Sequence, residues 1–373
     1  MGKYPRFLLH TCIWLLLLGL PVSAFGADKV TLQLKWFHQF QFAGYYAALE
    51  KGFYAAEGLD VVFRQRDIKT SYIDDVLDGK AAYGTSDAGL LFSRLQGKPV
   101  VVLAQIFQHS PLVLLTLKES GLRSPYQLAG KKVMIDTIGF SDAPANGMLF
   151  KTLGDFERFQ PIQMTFRYED LSENKVDAVV AYVTDQPFKF QETGVDVNIL
   201  DPRDYGIDFY GDNLFTTEKE IREHPQRVEK MIRATLKGWH YALQHRDEII
   251  ELILKKYNPQ KLSRQHLLYE AEQTAKMIVP NFVELGRFEP SRFTKIAEPS
   301  TDALAELSPA QVKEVTDRIK AAAEMGDVMQ IQSIADELKS TNDAMAPFCG
   351  KLIQLAEDFD FDSIRNLIDG IES

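Results

Sequence analysis

One stretch near the start of the chain constrains the fold more than any other: Val30 to Arg64, VTLQLKWFHQFQFAGYYAALEKGFYAAEGLDVVFR. Val30, Leu32 and Leu34 alternate with polar residues, the period of a half-buried strand. A loop crowded with rings follows, carrying Trp36, Phe37, His38, Phe40 and Phe42. Gly44 then opens a helical run from Tyr45 to Phe53, and Gly58 breaks it before a second strand, Leu59 to Arg64. In an open α/β sheet ligands sit beyond the carboxyl ends of the strands, so this aromatic loop lies where a small molecule would bind. Phe40, Phe42 and Tyr46 fit a packed core as well as a site. Trp36, His38, Gln39 and Tyr45 point more clearly to binding, because each joins an apolar surface to a polar handle.

The same residues carry a family resemblance. LKWFHQFQFAGYYAALEKGFYAAEGLDV resembles the opening of solute-binding proteins of the nitrate/sulfonate/thiamine-precursor type, and more narrowly their thiamine-pyrimidine-synthase-like branch. The KGFYAAEGLDV half is shared widely among such binders. The KWFHQFQFAGYYAA half is similar to a subgroup often found as the periplasmic input of bacterial sensor proteins. The resemblance runs to about Glu298. It implies a type II periplasmic-binding-protein fold, α/β with two lobes and two crossovers, that takes up a small molecule for an ABC permease or a membrane sensor.

Residues 1–26 stand apart. Lys3 and Arg6 precede an apolar run from Phe7 to Leu20, and Val22-Ser23-Ala24 supplies a small-residue cleavage pattern. The run is shorter than the roughly 20 residues of a membrane span and reads as a secretory signal peptide. A periplasmic location is therefore expected. Cleavage there removes two positive charges and no acid from a formal balance of −10, which argues against nucleic acid or anionic membranes as partners. Of two cysteines only Cys349 lies beyond this leader, so neither an internal disulfide nor a cysteine-based metal site is expected in the mature chain.

The solute-binding part is expected over 27–298, with lobe one at about 27–117 and 212–298 and lobe two at about 118–211. Tyr83 to Asp87 passes from a strand end into a helix, where Ser86 and Asp87 serve either as caps or as contacts for a ligand's polar edge. Val100 to Phe107 is an apolar strand that leads to a second polar loop containing Gln108. Leu112 to Leu117 is the expected first hinge. In lobe two, Gly139 opens a loop resembling the anion cradle of such binders, and Ile162 to Arg167 reads as a strand. The strand ending at Tyr182 leads to Asp185, where the family often places a ligand contact. Asp201 to Phe215 resembles the return crossover, with Tyr205 and Tyr210 as contacts and Gly206 and Gly211 for rotation.

A joint is expected at 299–308 and a small all-α segment at 309–373, with helices over 310–325, 327–339, 344–357 and 361–371. This tail resembles the helical segment at the ends of some bacterial hybrid sensor kinases. Asp358, Asp360 and Asp362 have calcium-loop spacing, but Ser363 stands where that loop needs Gly.

The seven histidines are scattered and no nucleophile elbow occurs. The enzyme alternative is the pyrimidine synthase of thiamine biosynthesis, which the resemblance implies would use pyridoxal phosphate, a sacrificed histidine and a cysteine-rich motif. Ala82 to Leu95 holds no histidine and the chain has no cysteine cluster, so a binder without catalysis, cofactor or metal is expected. The expected ligand is a flat nitrogen heterocycle such as a thiamine pyrimidine precursor. A sulfonate or nitrate fits less well, because Lys35 and Arg64 are the only basic residues expected nearby.

Overall fold

The computed structural model describes residues 27–136, 142–154, 156–292, 308–341, 346–357 and 359–372. The leader at 1–26, Gly139, Asp358 and most of the joint at 299–308 lie outside them.

Two five-stranded sheets make the frame. The first contains β1 (Asp28–Gln33), β2 (Leu59–Arg64), β3 (Tyr83–Ser86) and β4 (Val100–Gln105). The second contains β5 (Leu112–Leu117), β6 (Lys132–Ile135), β7 (Gln160–Gln163), β8 (Ala178–Tyr182) and β9 (Val197–Leu200), before β10 (Asn213–Thr217) returns to the first. The orders are β2-β1-β3-β10-β4 and β7-β6-β8-β5-β9. β1 lies parallel to β2 and β3, while β10 is antiparallel to both its neighbours. β5 occupies the equivalent antiparallel place between β8 and β9. The residues of β5 are all buried, which suits a central strand covered on both faces.

This pairing corrects the expected hinge. Leu112–Leu117 is a core strand of lobe two, so the lobe boundary falls before Leu112 rather than at 117. The crossovers are instead the short segments 106–111 and 206–212, and they brace each other. Ile106 N donates to Asp212 O at 2.9 Å, Gly211 N to Phe107 O at 3.0 Å and Ser110 N to Phe209 O at 2.8 Å. Gly211 serves close approach, since a Cβ there would lie 2.6 Å from His109 O. The expected strand at Ile162–Arg167 also ends early. Past Gln163 the chain turns, with Phe166 at φ 61°, a left-handed conformation uncommon for a bulky residue.

The helices follow from apolar spacing and close contact. We label those that place the site α1 (Ala43–Glu50), α2 (Gln186–Glu192), α3 (Pro225–Gln244) and α4 (Arg264–Ile278). In α3 the residues Val228, Met231, Thr235, Gly238, Trp239 and Ala242 are buried, a 3–4 spacing that marks one helix face. That face packs on α1 through two glycines. A Cβ on Gly44 would lie 2.1 Å from Trp239 Cγ, and one on Gly238 would lie 2.1 Å from Gly44 O.

The helices Pro309–Met325, Val328–Thr341, Ala346–Glu357 and Phe361–Glu372 have their own core, including Ile319, Ile331, Phe348, Leu352 and Ile364. Ser308 and Gln311 form a reciprocal cap at its start. Cys349 is buried there and its thiol is pushed up by that burial. No helix among the described residues is long and apolar enough to cross a membrane.

The glycine contact gives a direct test. Gly238→Ala should lower stability by about 1–3 kcal/mol or more, since the atoms a Cβ would meet, Gly44 O and Ala48 N and Cβ, are backbone or fixed to it and cannot yield the missing space. Urea unfolding checks this, and an unchanged midpoint would contradict the packing described.

Candidate functional site

A cavity of about 550 Å³ lies between the strand ends of the two sheets. Lobe one contributes Lys35, Trp36, Gln39, Arg66, Tyr72 and Asp87 to its wall. Lobe two contributes Met164, Phe166, Tyr168, Tyr182, Asp185 and Gln186.

Lys35 emerges just past β1, where its backbone N–H donates to Thr85 Oγ1 at 2.9 Å. Its buried ammonium lies 2.8 Å from Asp87 Oδ2 and 2.7 Å from Asp212 Oδ1. It also hydrogen-bonds the Tyr182 hydroxyl across the cleft. Burial alone would lower the Lys35 pKa, but the carboxylates of Asp212 and Asp87 outweigh it and raise the value well above normal. Burial raises the Asp212 pKa in turn, opposed by Lys35 and by Gln41, whose Nε2 donates to Asp212 Oδ2 at 2.5 Å. Tyr182 is held as the neutral phenol chiefly by burial.

Above this polar floor the rings of Trp36 and Phe166 meet from opposite lobes, with centroids 5.2 Å apart and planes at 53°. Phe166 keeps a backbone conformation that costs roughly 1–3 kcal/mol for a non-glycine residue. The turn after β7 thereby aims its ring at the indole.

A second polar connection joins the lobes beside the cavity. Asp185 precedes α2, and its Oδ1 lies 2.8 Å from Nε2 of His266 on α4. Asp185 Oδ2 accepts from Lys189 at 3.0 Å and Gln186 at 2.6 Å. Glu270, one turn beyond His266, accepts from Phe40 N at 2.7 Å and lies 3.5 Å from His266 Nε2. Asp185, His266 and Glu270 present metal-ligating atoms within 4.8 Å of one another. The lone pairs of Asp185 already serve His266, Lys189 and Gln186, so the geometry is that of an ion-pair network rather than a vacant cage. Burial pushes Asp185 up, but His266 and Lys189 prevail and hold it low. Glu270 is raised well above the carboxylate range by burial and by the charge of Asp185.

Of the residues read from sequence, Trp36, Gln39, Asp87, Tyr182 and Asp185 line the cavity. Others are placed elsewhere, which corrects their expected role. The His38 ring turns away, with Nδ1 2.9 Å from the Tyr46 hydroxyl and its centroid 5.4 Å from that of Tyr257. Phe42 and Tyr45 are core residues, and Tyr45 packs edge-on against Trp239 at 5.8 Å. Ser86 is fully buried behind the wall. Gln108 donates to Arg287 O at 2.9 Å and Tyr210 accepts from Glu289 N at 2.9 Å, so both fasten the crossovers. Tyr205 packs against Tyr126 at 6.3 Å on lobe two. Arg64 pairs with Asp75 at 3.6 Å and is not on the wall.

Sequence reasoning missed Arg66, Tyr72, Phe166, Tyr168 and Asp212. Tyr72 sits in a helix and Phe166 in a stretch read as a strand, so neither showed a loop signature. The signal for Lys35 was present, a lysine between Leu34 and Trp36 at an apolar strand end, where a charge demands partners.

Comparison with known proteins agrees with this architecture. The NMT1/THI5-like family model matches residues 39–249. The chain belongs to the NMT1/THI5-like family. A relative from Chloroflexus aurantiacus, the riboflavin-binding protein RibY, is 30% identical over 61% of this chain and 66% of its own length. The chain thus spans just under two thirds of that relative. The formylaminopyrimidine-binding protein of Halalkalibacterium halodurans is 26% identical over 61% of this chain and 70% of its own. Among solved structures, the alkanesulfonate-binding protein SsuA of Xanthomonas axonopodis pv. citri superposes with a TM-score of 0.58 at 11% identity, covering 75% of this chain and 93% of that one. The periplasmic aliphatic sulphonate-binding SsuA of Escherichia coli gives 0.53 at 14% identity, covering 71% and 97%. The fold is therefore the type II periplasmic-binding-protein fold, with a helical C-terminal part added.

The ion-pair network carries a pH dependence. The unfolded chain releases the Glu270 proton in the ordinary carboxylate range, whereas the folded chain retains it well above that range. Stability from this group is therefore full at low pH and declines as pH rises. Asp185 acts oppositely, its stabilisation fading as acid protonates it. Glu270→Gln should remove the first effect, so its stability relative to wild type should increase between about pH 5 and pH 8. Thermal melts across that range decide it; a constant difference would show that Glu270 does not retain its proton.

Proposed function

We propose that this family member is a periplasmic solute-binding protein that closes its two lobes around a small flat nitrogen heterocycle of the pyrimidine class. The observation that carries this reading is the Trp36–Phe166 pair, contributed by opposite lobes above a polar floor of Lys35, Asp87 and Tyr182. Rings that already meet at a tilt can part to take a flat ligand, and offset stacking adds roughly 0.5–1.5 kcal/mol beyond burial. Gln39 on the same wall, whose Oε1 has no hydrogen-bond donor, supplies an amide to orient a ring N–H. A volume of about 550 Å³ is within the usual range for a small-molecule pocket. The ligands named for the two relatives, riboflavin and formylaminopyrimidine, both contain a pyrimidine ring. A thiamine pyrimidine precursor is the smaller member of this class, and a flavin the larger.

In this reading the leader at 1–26 exports the chain, and the loaded lobes deliver their ligand to an ABC permease or signal to a membrane sensor. The separate core of residues 309–372 supports a second docking unit for the sensor role. The synthase-like alternative is disfavoured because the chain has no cysteine cluster and Ala82 to Leu95 holds no histidine.

A thermal-shift screen of pyrimidines, riboflavin, thiamine, taurine-like sulfonates and amino acids tests the assignment. A ligand at 100 times its Kd adds about 2.7 kcal/mol. Pyrimidine-containing compounds should raise Tm, and Trp36→Ala should weaken their binding about tenfold. Shifts from sulfonates or amino acids alone would refute the reading.

A further inference from the structure

Three cations line the cavity, and two of them are matched. Lys35 lies between Asp87 and Asp212, and Lys98 Nζ is 3.0 Å from Asp74 Oδ1. Arg66 is different. Its Nε and Nη1 are buried without a hydrogen-bond acceptor, and among the described residues no carboxylate pairs with it. Its guanidinium lies over the ring of Tyr72, 4.6 Å from the centroid. An arginine cannot shed its charge in this setting, and a desolvated charged donor without an acceptor is costly. The folded chain leaves this cation uncompensated although Arg64, two residues earlier, has Asp75.

Its position relative to the aromatic pair is fixed by backbone. Arg66 N donates to Trp36 O at 3.4 Å, so the guanidinium and the indole project from neighbouring strand ends of one sheet. Stacking on Tyr72 orients the guanidinium plane, and a planar fork held in this way suits two-point hydrogen bonding to an oxyanion.

We propose that Arg66 receives an oxyanion carried by the ligand, so that the site takes an anionic flat heterocycle, with a phosphate monoester as the best-matched substituent. The proposal rests on the ring-binding reading above and adds a second recognition point to it. It also revises the expectation that Lys35 and Arg64 are the only basic residues near the cleft: Lys35 is held by its carboxylate partners and Arg64 is off the wall, but Arg66 lines it. The wall then divides the work. Trp36 and Phe166 take the ring, and Arg66 takes the charge.

The test compares riboflavin and hydroxymethylpyrimidine, each against its own phosphate monoester, by calorimetry on the full chain. Wild type, Arg66→Gln and Arg66→Lys are measured, with inorganic phosphate against matched sodium chloride in a thermal-shift arm. Wild type should prefer a phosphate ester over its parent alcohol by roughly tenfold or more. Arg66→Gln should erase that preference, so that ester and parent alcohol bind alike, and Arg66→Lys should keep part of it. Inorganic phosphate should stabilise wild type and not Arg66→Gln. Equal binding of ester and alcohol by wild type, or a preference that survives Arg66→Gln, would overturn the proposal and leave the ring reading standing. If no ring compound binds but phosphate still stabilises wild type through Arg66, the anion site holds and the ring reading falls. If nothing binds, both fall.

Discussion

The ammonium of Lys35 is a charge in a place from which water is almost excluded, and much of the site's geometry follows from satisfying it. Asp87 comes from the end of β3, Asp212 from the return crossover and Tyr182 from the other lobe. One side chain therefore joins the first sheet, the hinge and the second sheet. Breaking a buried pair by removing one partner typically costs about 3–5 kcal/mol, because the other is left as an uncompensated charge. The demand runs in both directions: the lysine needs two carboxylates, and they are tolerable there only because of the lysine.

That network also explains why the cavity wall is polar below and aromatic above. Lys35, Asp87 and Asp212 compensate one another, so their charges are not free to select a ligand. The His266–Asp185 contact has a parallel role at the side, linking α4 to the start of α2 across the lobes. Both connections are buried. Under the proposed function, opening the cleft would hydrate these groups while separating Trp36 from Phe166, as a receptor that must both hold and release requires.

Much of the architecture was legible along the chain. Alternation in Val30–Leu34, the break at Gly58 and the apolar runs of β4, β5 and β8 are local signals of strands, and the helical spacing of α3 and of the tail is equally local. The first hinge was misplaced because β4 and β5 read as adjacent apolar segments, and period alone does not say which sheet a buried strand joins. The same limit acted on the site. Trp36, Gln39, Asp87, Tyr182 and Asp185 were found at strand ends, where position along the chain predicts proximity to a cleft. His38 and Tyr45 share that loop, but their rings turn toward Tyr46 and Trp239, partners supplied by helix packing.

The sequence by itself determined the α/β class, the helical tail and the neighbourhood of the cleft, because these depend on periodicity, glycine breaks and strand-end position, whereas the division into two lobes was implied by the family resemblance. Tertiary structure alone decided which polar groups meet. Lys35 finds Asp212 only when the chain returns through the second crossover, Trp36 finds Phe166 only across the cleft, and Asp75 pairs with Arg64 while Arg66 Nε and Nη1 have no acceptor. Charge compensation and ring contact act over a few ångströms between residues far apart in sequence, and no local pattern records them.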